Sequence, residues 1–359
     1  MRTRAALPLA LAMLAAALPL AAATSTVDDL LRLVRDAVQR QQSDGDLARV
    51  LHRVNLGQRL DNRTAEELES QAPGPESIAE LERLRQVSRD RALPKTLPSF
   101  ASPPEPTPDE LRGVLDEARR KALAYTAGLP DFICTETVRR YEENLQWGRS
   151  TAMDTLTLQL TYFGHQEKYR LTAVNGREPG RTYEQVGGAS SRGEFGSMLL
   201  DVFAPASRTA LTWSNWTALR KRPAYVFSFR IEAKNSRYHL YTGWERRVGD
   251  STTVGEHGLV YIDRETRDVM RVDSEADSIP IDFPIAGASR VLDYGLAEVG
   301  GRSFLLPLRA RVRMTLRFRS LLERNELDFS GYRKFAGESS ISFGDSIDEK
   351  PSPALPAGK

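Results

Sequence analysis

Five arginines crowd the stretch "LRARVRMTLRFR", residues 308–319: Arg309, Arg311, Arg313, Arg317 and Arg319. Guanidinium groups at alternate positions of a strand would make a rail able to clamp phosphates, because each presents a planar fork of donors to an anion. The interleaved Leu308, Ala310, Val312, Met314, Leu316 and Phe318 support a second reading, in which the arginines are the polar face of an amphipathic strand. On that reading strand 303–319 returns as 325–335 through a turn at Leu321-Leu322. Arg317 then opposes Glu326, Arg313 opposes Ser330, and Asp328 opposes Thr315, diagonal to both arginines. The polar face, not the rail, is the expectation.

Other reactive side chains form no constellation. The four histidines, His52, His165, His239 and His257, do not pair at metal-ligand spacing. No serine occupies a G-x-S-x-G elbow. The single cysteine, Cys134, shares a strand face with Phe132 and reads as a buried apolar thiol. Asp263 with Glu265, and Asp273, Glu275 and Asp277, flank hairpin turns without a calcium loop's glycine-centred spacing, so they read as solvated turn charge. Gly187-Gly188 lacks the lysine of a phosphate-binding loop. The turn in "LESQAPGPESIAEL" brings to mind the helix-hairpin-helix that grips DNA phosphate, but Ala72 stands where its first glycine belongs and Glu76 opens the second helix. A plain helix-helix turn is expected there. No catalytic residue, metal or cofactor follows from any of these patterns.

Charge and leader agree with that. The chain carries 50 Lys+Arg against 48 Asp+Glu. It begins "MRTRAALPLALAMLAAALPLAAATS", with Arg2 and Arg4 ahead of an apolar run, Pro19, and small residues ending at Ala23. This is the pattern of a cleaved secretory signal peptide, residues 1–23. Cleavage would remove two positive charges and leave 48 of each sign, which argues against nucleic acid as partner. No cysteine follows the run to take a lipid, and a lone cysteine allows no internal disulfide. The expected location is periplasmic or secreted, with no integral membrane span after cleavage.

The elements follow from periodicity. Residues 24–90 read as a small helical domain: Thr26 caps a helix with Val27, Leu30, Leu31, Val34 and Val38 as its stripe, and Leu47, Val50, Leu51 and Val54 mark a second. Residues 91–106 form a proline-rich linker. Thr107, Pro108 and Glu110 then open a helix whose face carries Leu111, Val114, Leu115, Ala118, Ala122 and Tyr125. Beyond Gly128 the period changes to two, in "DTLTLQLTYF" and "YVFSFRIEA" among others, predicting an antiparallel meander. A helix interrupts it, with Ser191 and Glu194 as capping box and Phe195, Met198, Leu199 and Val202 as stripe. This second domain is expected over 107–345, with a disordered tail at 346–359.

The blocks "LPDFICTETVRRYE", "GEFGSML", "GLVYIDRETRDVMRV", "DYGLAEVGGRSFLLPLRARVRM" and "NELDFSGYRKF" resemble those of periplasmic lipoprotein carriers of the LolA and LolB kind, and more closely a set of uncharacterised secreted bacterial proteins. The resemblance covers residues 107–344 and rests on strand order and hairpin texture. It implies an α+β fold: a strongly curved antiparallel β half-barrel covered by helices around an apolar, acyl-binding cavity, here preceded by the helical segment. Tyr162, Phe163, Phe195, Met198, Phe227 and Phe229 are the large side chains that could line such a cavity. The expected function is an exported, non-catalytic binder or carrier of a lipid or acyl chain. The alternative is a cell-envelope scaffold with a filled core, whose helical domain takes a protein partner.

Overall fold

The computed structural model describes residues 24–72, 74–98, 103–145, 149–164, 166–186, 197–241, 251–317 and 319–335. The leader, the Ser191–Glu194 capping box, Phe195, Gly187-Gly188, His165 and the tail at 346–359 lie outside them. Among the described residues the chain has six α-helices and an open antiparallel sheet of eleven strands, so the α+β expectation holds. It divides into two compact units.

The first unit holds the described residues up to Pro108, with Trp213–Val226 and Asp263–Thr266. Its helices are α1 (Val27–Gln39), α2 (Asp44–His52), α3 (Asn62–Gln71) and α4 (Pro75–Val87). The Thr26 hydroxyl accepts from the Asp29 amide and the Asp29 carboxylate accepts from the Thr26 amide, a reciprocal cap that starts α1. Val27, Leu30, Val34, Leu47, Leu51, Leu68, Leu81 and Leu84 make one buried core. Val38 and Val50, expected in the stripes, are 40% and 42% exposed instead. Each sits at the margin of its helix's apolar arc, which Ala37 and Ala48 complete.

The glycine turn before α4 has a clear purpose. Gly74 has no side chain to cap α4; Asp44, from the start of α2, accepts the Glu76 amide at 2.8 Å, and the Ser77 amide and hydroxyl at 2.9 and 2.5 Å. A Cβ on Gly74 would lie 2.6 Å from an Asp44 carboxylate oxygen, so only glycine admits this cap. The amides that a helix-hairpin-helix would offer to phosphate are thus taken by the protein's own carboxylate. Asp44→Ala should cost about 1–2 kcal/mol, the upper range for losing an N-cap. A thermal melt of the full chain reads it, and an unchanged midpoint would show that α4 needs no cap from α2.

The residues read as a linker are partly tied down within this unit. The Trp216 indole donates to the Pro104 carbonyl at 3.0 Å, Pro106 is buried, and Trp216 packs against Trp213 and Tyr225.

The second unit holds Asp109–Thr212, Phe227–Ile262 and the described residues from Arg267. It contains α5 (Pro108–Gly128) almost entirely, α6 (Ser197–Phe203), and most of the sheet. The strands are β1 (Phe132–Asn144), β2 (Arg149–Phe163), β3 (Gln166–Val174), β4 (Ala210–Leu219), β5 (Arg222–Ile231), β6 (Tyr238–Tyr241), β7 (Ser251–Asp263), β8 (Val269–Asp277), β9 (Ile285–Val299), β10 (Arg302–Leu316) and β11 (Leu321–Lys334). Their order is β3-β2-β1-β11-β10-β9-β8-β7-β5-β4, with β6 on β7. The meander is therefore sequential except where β11 returns to β1 and where β7 pairs with β5 as well as with β6, and β3 and β4 end the order as edges.

The arginine row belongs to the polar face, but in a different register from the expected one. Leu316 pairs with Leu321, so Leu321-Leu322 already belong to β11 and are not the turn. Leu322 is 4% exposed, and burying it outweighs its use as a turn residue, which Ser320 supplies with φ +47°. Arg309 consequently faces Asp328, Arg311 faces Glu326 and Arg313 faces Arg324. A charge ladder crosses the sheet from Arg271 to Asp293, Arg309 and Asp328, with Arg139 of β1 also on Asp328. Arg317 leaves the row altogether. It donates to the carbonyls of Phe283 and Ile285 at 3.0 and 3.3 Å, pinning the β8–β9 connection. Leu308 leaves the apolar row as well, at a bulge in β10 where it lies over Gly295.

Candidate functional site

The face of the sheet opposite that ladder is built from Phe132, Cys134, Val138, Leu156, Leu158, Leu160, Leu292, Tyr294, Ala310, Val312 and Leu327, all buried. The bulge at Leu308 puts Leu305 and Pro307 on this face too, because Pro307 pairs with Tyr294 and Ala310 with Leu292. Cys134 is 1% exposed, and burial pushes its thiol above the ordinary range, so it is a packing residue and not a nucleophile.

A cavity of about 370 Å³ lies between α5, α6 and this sheet. It is within the size range of small-molecule sites, toward the lower end of ~300–1,000 Å³. Ala124, Tyr125 and Leu129 of α5 and its C-terminal turn, Leu199 of α6, Val269 of β8 and Leu305 of β10 give it an apolar wall. Arg120, Lys121, Ala124, Tyr125 and Gly128 recur at the helical period, which is how one face of α5 supplies both wall and polar rim. At the rim Lys121 holds Asp268 at 3.0 Å and Arg120 holds Glu117 at 2.6 Å. The Tyr125 ring meets Tyr294 edge-on at 6.3 Å, and its buried hydroxyl has no hydrogen-bond partner among the described residues. Burial raises that hydroxyl well above an ordinary phenol, so it stays protonated and able to donate.

Beside the cavity, charges are buried. Arg290 of β9 donates to Glu256 of β7 at 2.9 Å and reaches Asp201 of α6 at 3.4 Å. Ser274 of β8 donates to the same Glu256 oxygen at 2.6 Å, and the guanidinium stacks over Tyr238 of β6 at 4.2 Å. Glu256 and Asp201 are 1% and 4% exposed. Burial alone would lower the Arg290 guanidinium; Glu256 foremost, then Tyr238 and Asp201, hold it above its ordinary value. Across the sheet at the same level, Arg140 grips Asp154 with two bonds of 2.6 and 2.7 Å.

Of the six side chains proposed from sequence, the five described ones lie outside this lining. Tyr162 is buried and stacks on Phe132 at 5.2 Å; Phe163 is 52% exposed; Met198 is buried on α6 beside Leu199; Phe227 and Phe229 are buried on β5. Phe195 lies outside the described residues. None of the five described ones lines the cavity. The acidic turn residues have structural partners: Asp263 accepts the Glu265 and Thr266 amides and pairs with Arg222, and Asp277 pairs with Arg230. His52 meets Glu80, His239 meets Thr253, and His257 lies 3.6 Å from Asp277. Among the described residues no three of His, Cys, Asp and Glu are grouped to hold a metal, and no helix is long and apolar enough to cross a membrane.

The arrangement is that of a helix-walled apolar cavity on an open antiparallel sheet. No family model and no curated protein sequence matches the chain. Among solved structures it is similar to a DUF1329 family protein from Desulfovibrio piger, with 11% identity and a TM-score of 0.33 over 64% of this chain and 94% of that one. It is also similar to a domain from Vibrio parahaemolyticus described as an outer membrane lipoprotein-sorting protein, with 13% identity and a TM-score of 0.32 over 65% of this chain and 97% of that one.

Proposed function

We propose that this chain is a non-catalytic carrier that holds one acyl chain, or an apolar molecule of similar size, in the cavity between α5, α6 and the sheet. The observation that carries the reading is an apolar cavity of about 370 Å³ with one buried hydroxyl, that of Tyr125, left without a hydrogen-bond partner among the described residues. An apolar wall removes the chain from water, and a single donor in it selects a ligand bearing an oxygen over a plain hydrocarbon. Lys121 and Arg120 at the rim would meet a carboxylate or phosphate head at the mouth in exchange for, or alongside, their present partners Asp268 and Glu117. The leader pattern of residues 1–23 supports action outside the cytoplasm.

The scaffold reading has one observation in its favour. Val38, Val50 and Val87 of the first unit's helices are 40–46% exposed, apolar surface that a protein partner would cover. Native mass spectrometry separates the two. Protein purified under mild conditions from a bacterial envelope fraction should carry an added mass matching a single-chain lipid, lost on organic extraction. A folded protein that never acquires such a mass, even with lauric acid or lysophospholipid added, would remove the carrier reading and leave the scaffold.

A further inference from the structure

Leu199 makes α6 a wall of the cavity, and Asp201, two residues on, ties the same short helix to the sheet. The tie is electrically incomplete. Two carboxylates, Asp201 and Glu256, share the single guanidinium of Arg290. One oxygen of each, Asp201 Oδ1 and Glu256 Oε1, is buried with no hydrogen-bond donor among the described residues. Among the described residues the groups that meet the pair are Arg290 from β9, Glu256 from β7, Ser274 from β8, Tyr238 from β6, and Arg237 just before it. Tyr238 and Ser274 are neutral, and Arg237 acts on Asp201 only as the last and smallest of its electrostatic neighbours. Two anions around one cation, out of water, leave a negative charge that a proton neutralises at the least structural cost.

We propose that docking of α6 on the sheet is coupled to uptake of a proton by the Asp201–Glu256 pair, so that acid holds this wall of the cavity shut and neutral pH loosens it. The consequence for cargo rests on the carrier reading; the docking equilibrium does not. The sign follows from linkage. Burial raises the docked Asp201 carboxyl above its ordinary value, the Arg290 charge pulls it back and the Glu256 charge raises it again, with the rise prevailing. Once α6 lifts, that carboxyl returns to water and to its ordinary value, so the docked state binds the proton more tightly and falling pH favours it. Protonation does not free the guanidinium, because Arg290 keeps Glu256 at the shorter distance of 2.9 Å. Each unit between the docked and undocked values changes the docking equilibrium tenfold across the titration. A bound amphiphile should therefore leave more slowly in acid.

Hydrogen exchange on the ligand-free full chain tests this directly. Protection of the Met198–Phe203 amides, corrected for intrinsic rates and divided by that of β9, should be several-fold higher at about pH 5 than at about pH 7.5. Asp201→Asn, which keeps the shape but cannot titrate, should give a ratio that does not change with pH. A wild-type ratio that is flat, or that falls on acidification, overturns the proposal whether or not the variant folds. A variant that keeps the wild-type slope does so too. Dissociation of a dansyl-labelled fatty acid, expected to be several-fold slower in acid, is the separate arm: absence of any probe binding would sink the carrier reading and leave the exchange result standing.

Discussion

Replacing Arg290 with alanine is expected to remove about 3–5 kcal/mol of stability, the range for breaking a buried ion pair from one side. The variant leaves Asp201 and Glu256 facing each other, 4% and 1% exposed, with Ser274 as the one hydrogen-bond donor to the Glu256 side chain among the described residues. Such a loss is a large fraction of the ~5–15 kcal/mol that holds an ordinary domain together, so the urea midpoint should fall steeply. The defect should also depend on pH in a stated direction. Without the guanidinium, burial and the Glu256 charge raise the Asp201 carboxyl unopposed by Arg290, so the native form binds more protons than the unfolded form. Stability then recovers as pH falls through the folded values. Restoring neutrality by adding Asp201→Asn and Glu256→Gln should recover part of the loss at neutral pH. A single substitution that shifts the midpoint no more than a surface arginine such as Arg112 would mean that the cluster is wetter than its burial implies.

The second large effect concerns the cavity. Ala124 is an exposed position on α5 whose side chain also borders the cavity, so a tryptophan there adds bulk at the wall without overpacking the core. Ala124→Trp should leave the melt within about 0.5 kcal/mol of wild type, as surface changes do. It should weaken binding of an acyl probe by about tenfold or more, because the excluded volume forfeits methylene burial at about 0.8 kcal/mol each. Leu305→Glu should also abolish binding, through the cost of a charge against the chain. Ala124→Trp is the cleaner test, since its wall position is less buried than the strand.

Much of the architecture was legible from local pattern. The Thr26 cap, the start of the long helix at Pro108 and the strand alternation around "DTLTLQLTYF" all depend on neighbours in sequence, and all appear where expected. The β10–β11 turn was misplaced because a leucine pair next to charges reads as a loop until the burial of Leu322 against the sheet is known. The cavity was not legible, because its wall joins Tyr125, Leu199, Val269 and Leu305 from four elements, and Leu305 takes this face only through the bulge at Leu308. Size alone did not pick out the lining: Phe227 and Phe229 are buried on β5 outside it, while Tyr125 and Phe304 border the cavity together with small residues such as Ala124 and Gly128. Tyr125 was visible as the last apolar position of its helix, but nothing in sequence marks its hydroxyl as unpartnered. Asp201, Glu256 and Arg290 lie far apart in sequence, and only the β7–β8–β9 register with the seating of α6 brings them together.

The most direct measurement is a fluorescence titration of delipidated protein with an environment-sensitive fatty-acid probe, run side by side on wild type and Ala124→Trp. The account predicts saturable binding of one probe per wild-type chain, displaced by unlabelled long-chain fatty acid and lost in the variant. Equal binding by the two folded proteins, or none by wild type, would contradict it.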